Sequence, residues 1–225
     1  MNIGLTKAIE VPLHKSAPRT LLEDVDAPFG ILLTQVQSNI PTLSNFEIKC
    51  LMIQLAYMES DNDASLVDNL KYGRYQVTEY LLKKYGYYDN SGWTGLDGID
   101  EEALFLSNIK LQDKIMGQFI EESYPKLIKA GAIRANDTKE IVAGMLTLAY
   151  QFQDAENPDV IKADKISSSL LDLIKNEVNS NYGAVKAKIW RDEGTQTDSQ
   201  GRPGALYFNA GKYAIQNLAA DVPLT

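Results

Sequence analysis

A glutamate on the core-facing side of a helix, at its C-terminal end, is a candidate proton donor, and residues 44–60 set up that arrangement. Apolar side chains recur at Ile48, Leu51, Met52 and Leu55, the spacing of a helical stripe. One further turn along the stripe lies Glu59. Its carboxyl group would sit among apolar neighbours and at the negative end of the helix macrodipole. Both influences disfavour the anion and push the pKa upward, the condition a general acid needs near neutral pH. The competing expectation is a helix-terminal glutamate that has already turned into solvent.

Other catalytic chemistries are short of residues. The 225-residue chain has one cysteine, Cys50, and one histidine, His14. A Ser-His-Asp triad, a cysteine-rich zinc site and a histidine metal cluster are therefore not expected, and no cofactor or metal is called for. Cys50 falls inside the apolar helix and reads as a reduced core thiol. Acid/base work would fall to carboxylates. Asp61, Asp63 and Asp97 are candidate second carboxylates, and each reads equally well as a turn-former.

The charge balance narrows the partners. With 22 basic and 30 acidic residues the net charge is −8. Nucleic-acid binding, which rests on clustered Lys and Arg, is not expected. Nor does long-range attraction draw such a chain to an anionic cell wall. The opening MNIGLTKAIEVPLHKSAPRT is charged throughout and lacks the apolar run of a secretory signal. No run approaches membrane-spanning length, so no membrane insertion is expected. Hydrophobic residues make up 44% of the chain, enough to bury a core without staples.

The elements that must position Glu59 follow from caps and breakers. Residues 1–41, punctuated by Pro12, Pro18, Pro28 and Pro41, form an arm with one short helix around Ile31–Val36. It is either a wrapping segment of the same domain or a docking arm for a partner. Residues 42–225 make the main domain. Ser44 N-caps the first helix, and Glu47 completes a capping box. A polar turn-rich stretch, Asp61–Asn69, leads to Leu70–Val77, a small β-hairpin or extended loop. Thr78 caps a helix to about Tyr85, stopped by Gly86. Tyr87–Gly98 is loop chemistry. Helices are predicted at 100–107, 109–130, 137–154 and 163–178, with Gly131 ending the second and Asp137 beginning the third. Residues 191–211 read as a long Gly-rich loop, closed by a short helix over Lys212–Leu218. The class is mainly α with one small β element.

Several segments carry a family resemblance in order along the chain. They are Glu59-Ser60 at the end of an apolar helix, Tyr72-Gly73-Arg74-Tyr75-Gln76, Lys84-Tyr85-Gly86-Tyr87-Tyr88, Trp93-Thr94-Gly95-Leu96-Asp97-Gly98 and Phe105-Leu106-Ser107-Asn108. Further on come Gly144-Met145-Leu146-Thr147-Leu148-Ala149-Tyr150, Trp190-Arg191 and the stretch from Tyr207 to Tyr213. Together, over about residues 45–215, they resemble the lysozyme-like superfamily of lytic transglycosylases and goose-type lysozymes. The resemblance is to a branch found in phage tail and virion-associated wall hydrolases. Gln151-Phe152-Gln153-Asp154, after Tyr150, departs from the Asn-containing pattern usual in transglycosylases.

The resemblance implies a lysozyme-like fold, a helical bundle around a core helix ending in the catalytic Glu59. It implies cleavage of peptidoglycan, with Glu59 protonating the glycosidic oxygen between N-acetylmuramic acid and N-acetylglucosamine. Ser60, Gly73, Tyr75, Gln76, Trp93 and Tyr150 become the substrate-binding candidates. Gln76 can bond sugar hydroxyls or acetamido groups, and Gly73 permits close backbone approach. Tyr75 and Trp93 either stack on sugar faces or are core aromatics. Tyr150 is expected to bond Glu59 or the substrate acetamido group. Arg74 reads as a solvated surface charge. The implied partners are peptidoglycan glycan strands and phage tail or baseplate proteins bound through the N-terminal arm. The implied location is the virion, with action in the host periplasm or cell wall. A muramidase and a lytic transglycosylase both fit, and so does an inactive structural tail component that kept the fold.

Overall fold

The computed structural model describes residues 17–18, 39–154, 183–194 and 204–219. These residues are mainly helical, with two small antiparallel sheets among them. Helix α1, Asn45–Ser60, starts at Ser44, whose hydroxyl accepts from the Glu47 N–H while the Glu47 carboxylate accepts from the Ser44 N–H. This is the capping box expected from the sequence. Its middle, however, is buried all round rather than along one stripe. Cys50, Ile53 and Ala56 are as deeply buried as Ile48, Met52 and Leu55. A helix enclosed on every side is a central helix. Here the helices Ile109–Ala130 and Gly204–Tyr213 and the π-helical turn Ala214–Ala219 pack around it.

After α1 come β1 (Val67–Asp68), β2 (Lys71–Tyr72) and β3 (Val77–Thr78), a three-stranded antiparallel sheet in that order. Tyr72 pairs with Val67 on one side and Val77 on the other. The expected hairpin is therefore present, with an extra strand drawn from the turn-rich stretch before it. Thr78 caps α2 (Glu79–Lys84) as expected, its hydroxyl accepting from the Leu81 N–H. The Tyr87–Gly98 stretch, expected as loop, holds a second hairpin, β4 (Tyr88–Asp89) and β5 (Gly92–Trp93). Asp89 makes its tight turn by accepting from the Ser91 N–H at 2.6 Å.

Helix α3 spans Glu102–Ser107, and α4, Ile109–Ala130, ends at Gly131 in the left-handed conformation. Helix α5 is Lys139–Gln151, extended by a short 3-10 turn at Phe152–Asp154. Thr138, not Asp137, occupies its N-cap position. Asp137 instead accepts two hydrogen bonds from Arg191, at 2.6 and 2.7 Å. Residues 183–193 form helix α6, and α7 is Gly204–Tyr213, running into a π-helical turn at Ala214–Ala219.

Helix α7 corrects the expected Gly-rich loop. Its glycines are there for packing. A Cβ on Gly211 would lie 2.6 Å from the Ala143 carbonyl carbon, and one on Gly144 would lie 2.6 Å from Phe208 Cε2. The Thr147 hydroxyl donates to the Tyr207 carbonyl at 2.6 Å. Close α5–α7 packing thus outweighs the poor helix propensity of glycine. The helices expected at Ile31–Val36 and 163–178, together with His14, lie outside the described residues. Of residues 1–41, Ala17 and Ile40 are buried in the common core, and the Pro41 carbonyl accepts from the Tyr124 hydroxyl.

Candidate functional site

Glu59 lies half-buried in the last turn of α1. Its neighbour Ser60 donates its hydroxyl to the Arg74 carbonyl at 2.8 Å. That bond brings the Gly73–Gln76 turn, between β2 and β3, against the end of α1. From α5 the Tyr150 hydroxyl donates to the Tyr75 carbonyl at 2.6 Å. Glu59, Ser60, Gly73–Gln76 and Tyr150 are thereby gathered into one neighbourhood from segments up to ninety residues apart in the chain.

The turn is built on left-handed residues at both ends, Gly73 at φ 72° and Gln76 at φ 51°. Gly73 N–H donates to Leu66 at 2.8 Å, and Gln76 N–H returns to Gly73 at 2.9 Å. The Gln76 side chain is 5% exposed. Its Nε2 donates to the carbonyls of Gly73 and Leu66 at 2.9 and 3.2 Å, so this amide group braces its own turn.

Two further assignments change. Arg74, read as a surface charge, is 1% exposed and pairs with Asp113 of α4. Burial alone would lower its pKa, but Tyr75 and Asp113 outweigh that and keep the guanidinium charged. Tyr75 is the core aromatic of its two alternatives. It is fully buried, with its hydroxyl donated to Asp113 at 2.8 Å, and burial pushes the phenol well above its usual value. Its ring faces are not open to a sugar. Tyr150, 3% exposed, acts through the Tyr75 backbone and packs edge-on against Phe119.

Trp93 is half-buried and joins the two sheets. It meets Tyr72 and Tyr88 edge-on, with centroids 5.5 and 5.3 Å away, and lies tilted on Phe105 at 5.3 Å. Among the candidate second carboxylates, Asp61 is the left-handed C-cap of α1. Asp63 accepts from both the N–H and hydroxyl of Ser65, which lowers its pKa. Asp97 accepts from Tyr87 and pairs with Lys114, and both contacts lower its pKa too. The carboxylates of Asp63 and Asp97 are thus committed to local structure, whereas Asp61 acts as a cap through its backbone.

The chain matches no family model, no curated protein and no solved structure. A functional reading therefore stands on the residues and their geometry. Among the described residues no group of three or more His, Cys, Asp or Glu is placed to hold a metal ion. No helix among them is long and apolar enough to cross a membrane.

Gln112 and Asp113 are the site residues that the sequence reading missed. Gln112 Oε1 accepts from the Arg74 N–H at 2.9 Å, and Asp113 takes both the Arg74 guanidinium and the Tyr75 hydroxyl. A signal was present. Gln112 shares a helical stripe with Ile115, Met116 and Phe119, and Asp113 with Met116, Gly117 and Ile120. A polar residue on an apolar stripe must find buried partners.

Proposed function

We propose that the chain is a lysozyme-like, peptidoglycan-cleaving glycosidase in which Glu59 is the general acid. One observation carries the reading: the Ser60–Arg74 bond at 2.8 Å, which holds the hairpin turn beside the residue that follows Glu59. A glutamate in the last turn of a buried central helix, with a β-turn bonded to the next residue, is an arrangement that can protonate a glycosidic oxygen bound beside it. The commitment of the Asp63 and Asp97 carboxylates to local partners favours the one-acid route of a lytic transglycosylase. There the substrate's own acetamido group replaces the second carboxylate. Half-exposed Trp93 and Tyr88 offer aromatic edges near the turn for sugar contact. Delivery on a phage tail or baseplate fits a chain of net charge −8, which has no electrostatic pull towards an anionic wall.

The second reading is an inactive structural tail component with the same fold. The buried Gln76 favours it, since its amide is spent on the turn instead of being presented to a groove. Digestion of purified peptidoglycan by wild type and Glu59→Gln, with mass spectrometry of released muropeptides, separates the two. The proposal expects soluble fragments with anhydro ends from wild type alone. Reducing ends would replace the transglycosylase with a hydrolase. Release by neither protein would put the structural reading in its place.

A further inference from the structure

Helix α4 turns two polar residues into the core, Gln112 at 0% and Asp113 at 1% exposure. A buried amide is costly unless bonded, and Gln112 is bonded to three separate segments. Its Oε1 accepts from the Arg74 N–H at 2.9 Å. Its Nε2 donates to the carbonyls of Ala64, Phe105 and Leu106 at 3.1, 3.2 and 3.2 Å. The Arg74 peptide is thus gripped from both sides, its N–H by Gln112 and its carbonyl by Ser60, the residue after Glu59. Asp113 holds the side chains of the same two turn residues, and Tyr150 holds the Tyr75 carbonyl. At Gly73 a Cβ would come within 2.5 Å of Gln112 Cδ, so the backbone approaches the amide as closely as glycine permits.

An apolar side chain of similar volume would fill this space without fixing direction, because apolar packing lets surfaces slide and hydrogen bonds do not. We propose that Gln112 is a positioning residue, which sets the Gly73–Gln76 turn against Glu59 through the Arg74 peptide. The inference rests on the reading of Glu59 as the acid. Placing a reacting group wrongly by ~1 Å can cost on the order of 100-fold in rate.

Wild type, Gln112→Leu and Ser60→Ala are compared for turnover of solubilised glycan strands, with the folded fraction fixed by circular dichroism. Hydrogen exchange of peptides covering residues 70–77 is followed in parallel. For Gln112→Leu, kcat per folded molecule falls on the order of 100-fold while KM stays within about threefold, and exchange quickens over 70–77 but not in α5. For Ser60→Ala the fall is on the order of 10-fold. A merely structural role would lower the folded fraction and leave kcat per folded molecule unchanged. Wild-type kcat in either folded variant, or unchanged exchange over 70–77 in Gln112→Leu, overturns the proposal. Should Gln112→Leu fail to fold, the unbranched Gln112→Met, which also removes every hydrogen bond of the amide, takes its place on both readouts. If wild type itself releases nothing, the Glu59 reading falls, and the exchange measurement still decides whether Gln112 holds the turn.

Discussion

Gly73→Ala tests the packing at the centre of the site. Two costs add. Gly73 sits at φ 72°, where an L side chain costs roughly 1–2 kcal/mol. The new Cβ would lie 2.5 Å from Gln112 Cδ and 2.9 Å from its Nε2. On an exposed residue such an amide would swing aside. Gln112 is fully buried, and moving it breaks its bond to Arg74 and those to Ala64, Phe105 and Leu106. Leaving one such buried group unpaired costs about 1–3 kcal/mol. The sum is about 2–5 kcal/mol, a large part of the ~5–15 kcal/mol that holds a domain together. With a urea slope of about 2 kcal/mol/M, the unfolding midpoint falls by roughly 1–2.5 M. In a Gln112→Ala background the clash is gone, and the added cost of Gly73→Ala shrinks to the backbone part, about 1–2 kcal/mol. A midpoint shift under about 0.5 M, or strict additivity in the cycle, would refute the reasoning.

Gly211→Ala strikes backbone where no side chain can yield, since its Cβ would lie 2.6 Å from the Ala143 carbonyl carbon and 2.7 Å from Gly144 N. Overpacking of this kind costs about 2–3 kcal/mol, a melting temperature lower by roughly 5–10 °C, and a change under about 2 °C would contradict it. Asp137→Asn should show its effect through pH. Burial pushes the Asp137 carboxyl up, but hydrogen bonds from Arg191 and Arg134 outweigh it and hold the pKa below 3.8. A depressed pKa gives stability that is complete above the unfolded value and is lost as pH falls through the folded one. Urea unfolding should therefore show Asp137→Asn weaker than wild type by about 2 kcal/mol at pH 7, with the gap closing as pH falls below the ordinary carboxyl value of 3.8. A gap that persists at low pH would mean that the Arg191 bond is not the cause. Glu59→Gln, by contrast, should abolish muropeptide release while leaving the melting temperature within about 2 °C of wild type, because it replaces one half-buried polar group with another of the same shape.

Local signals were legible wherever a few neighbouring residues settle the geometry. The capping box at Ser44 and Glu47, the Thr78 cap and the Gly131 stop all depend on backbone groups within one turn, and the sequence alone places them. Apolar periodicity likewise placed α1 and set Glu59 at its end. It did not reveal that α1 is buried on every side, because enclosure is a property of the neighbours. The β4–β5 hairpin was hidden in a stretch whose turn residues, Asp89 to Gly92, read as loop on their own. Helix α7 was hidden by its glycines, which look like breakers until α5 lies against them.

The site divides in the same way. The sequence determined which residues sit at the helix end and in the turn, and the resemblance alone suggested grouping Glu59, Ser60 and Gly73–Gln76 as one set. Tertiary structure alone decided what each does there. Tyr75 and Arg74 became buried partners of Asp113, and Gln76 became a brace for its own turn. Tyr150 reached the Tyr75 backbone across 75 residues of chain. The physical reason is distance along the chain. A cap or a turn is closed by residues already adjacent, whereas a buried polar group is satisfied by whatever segment folding brings within about 3 Å of it.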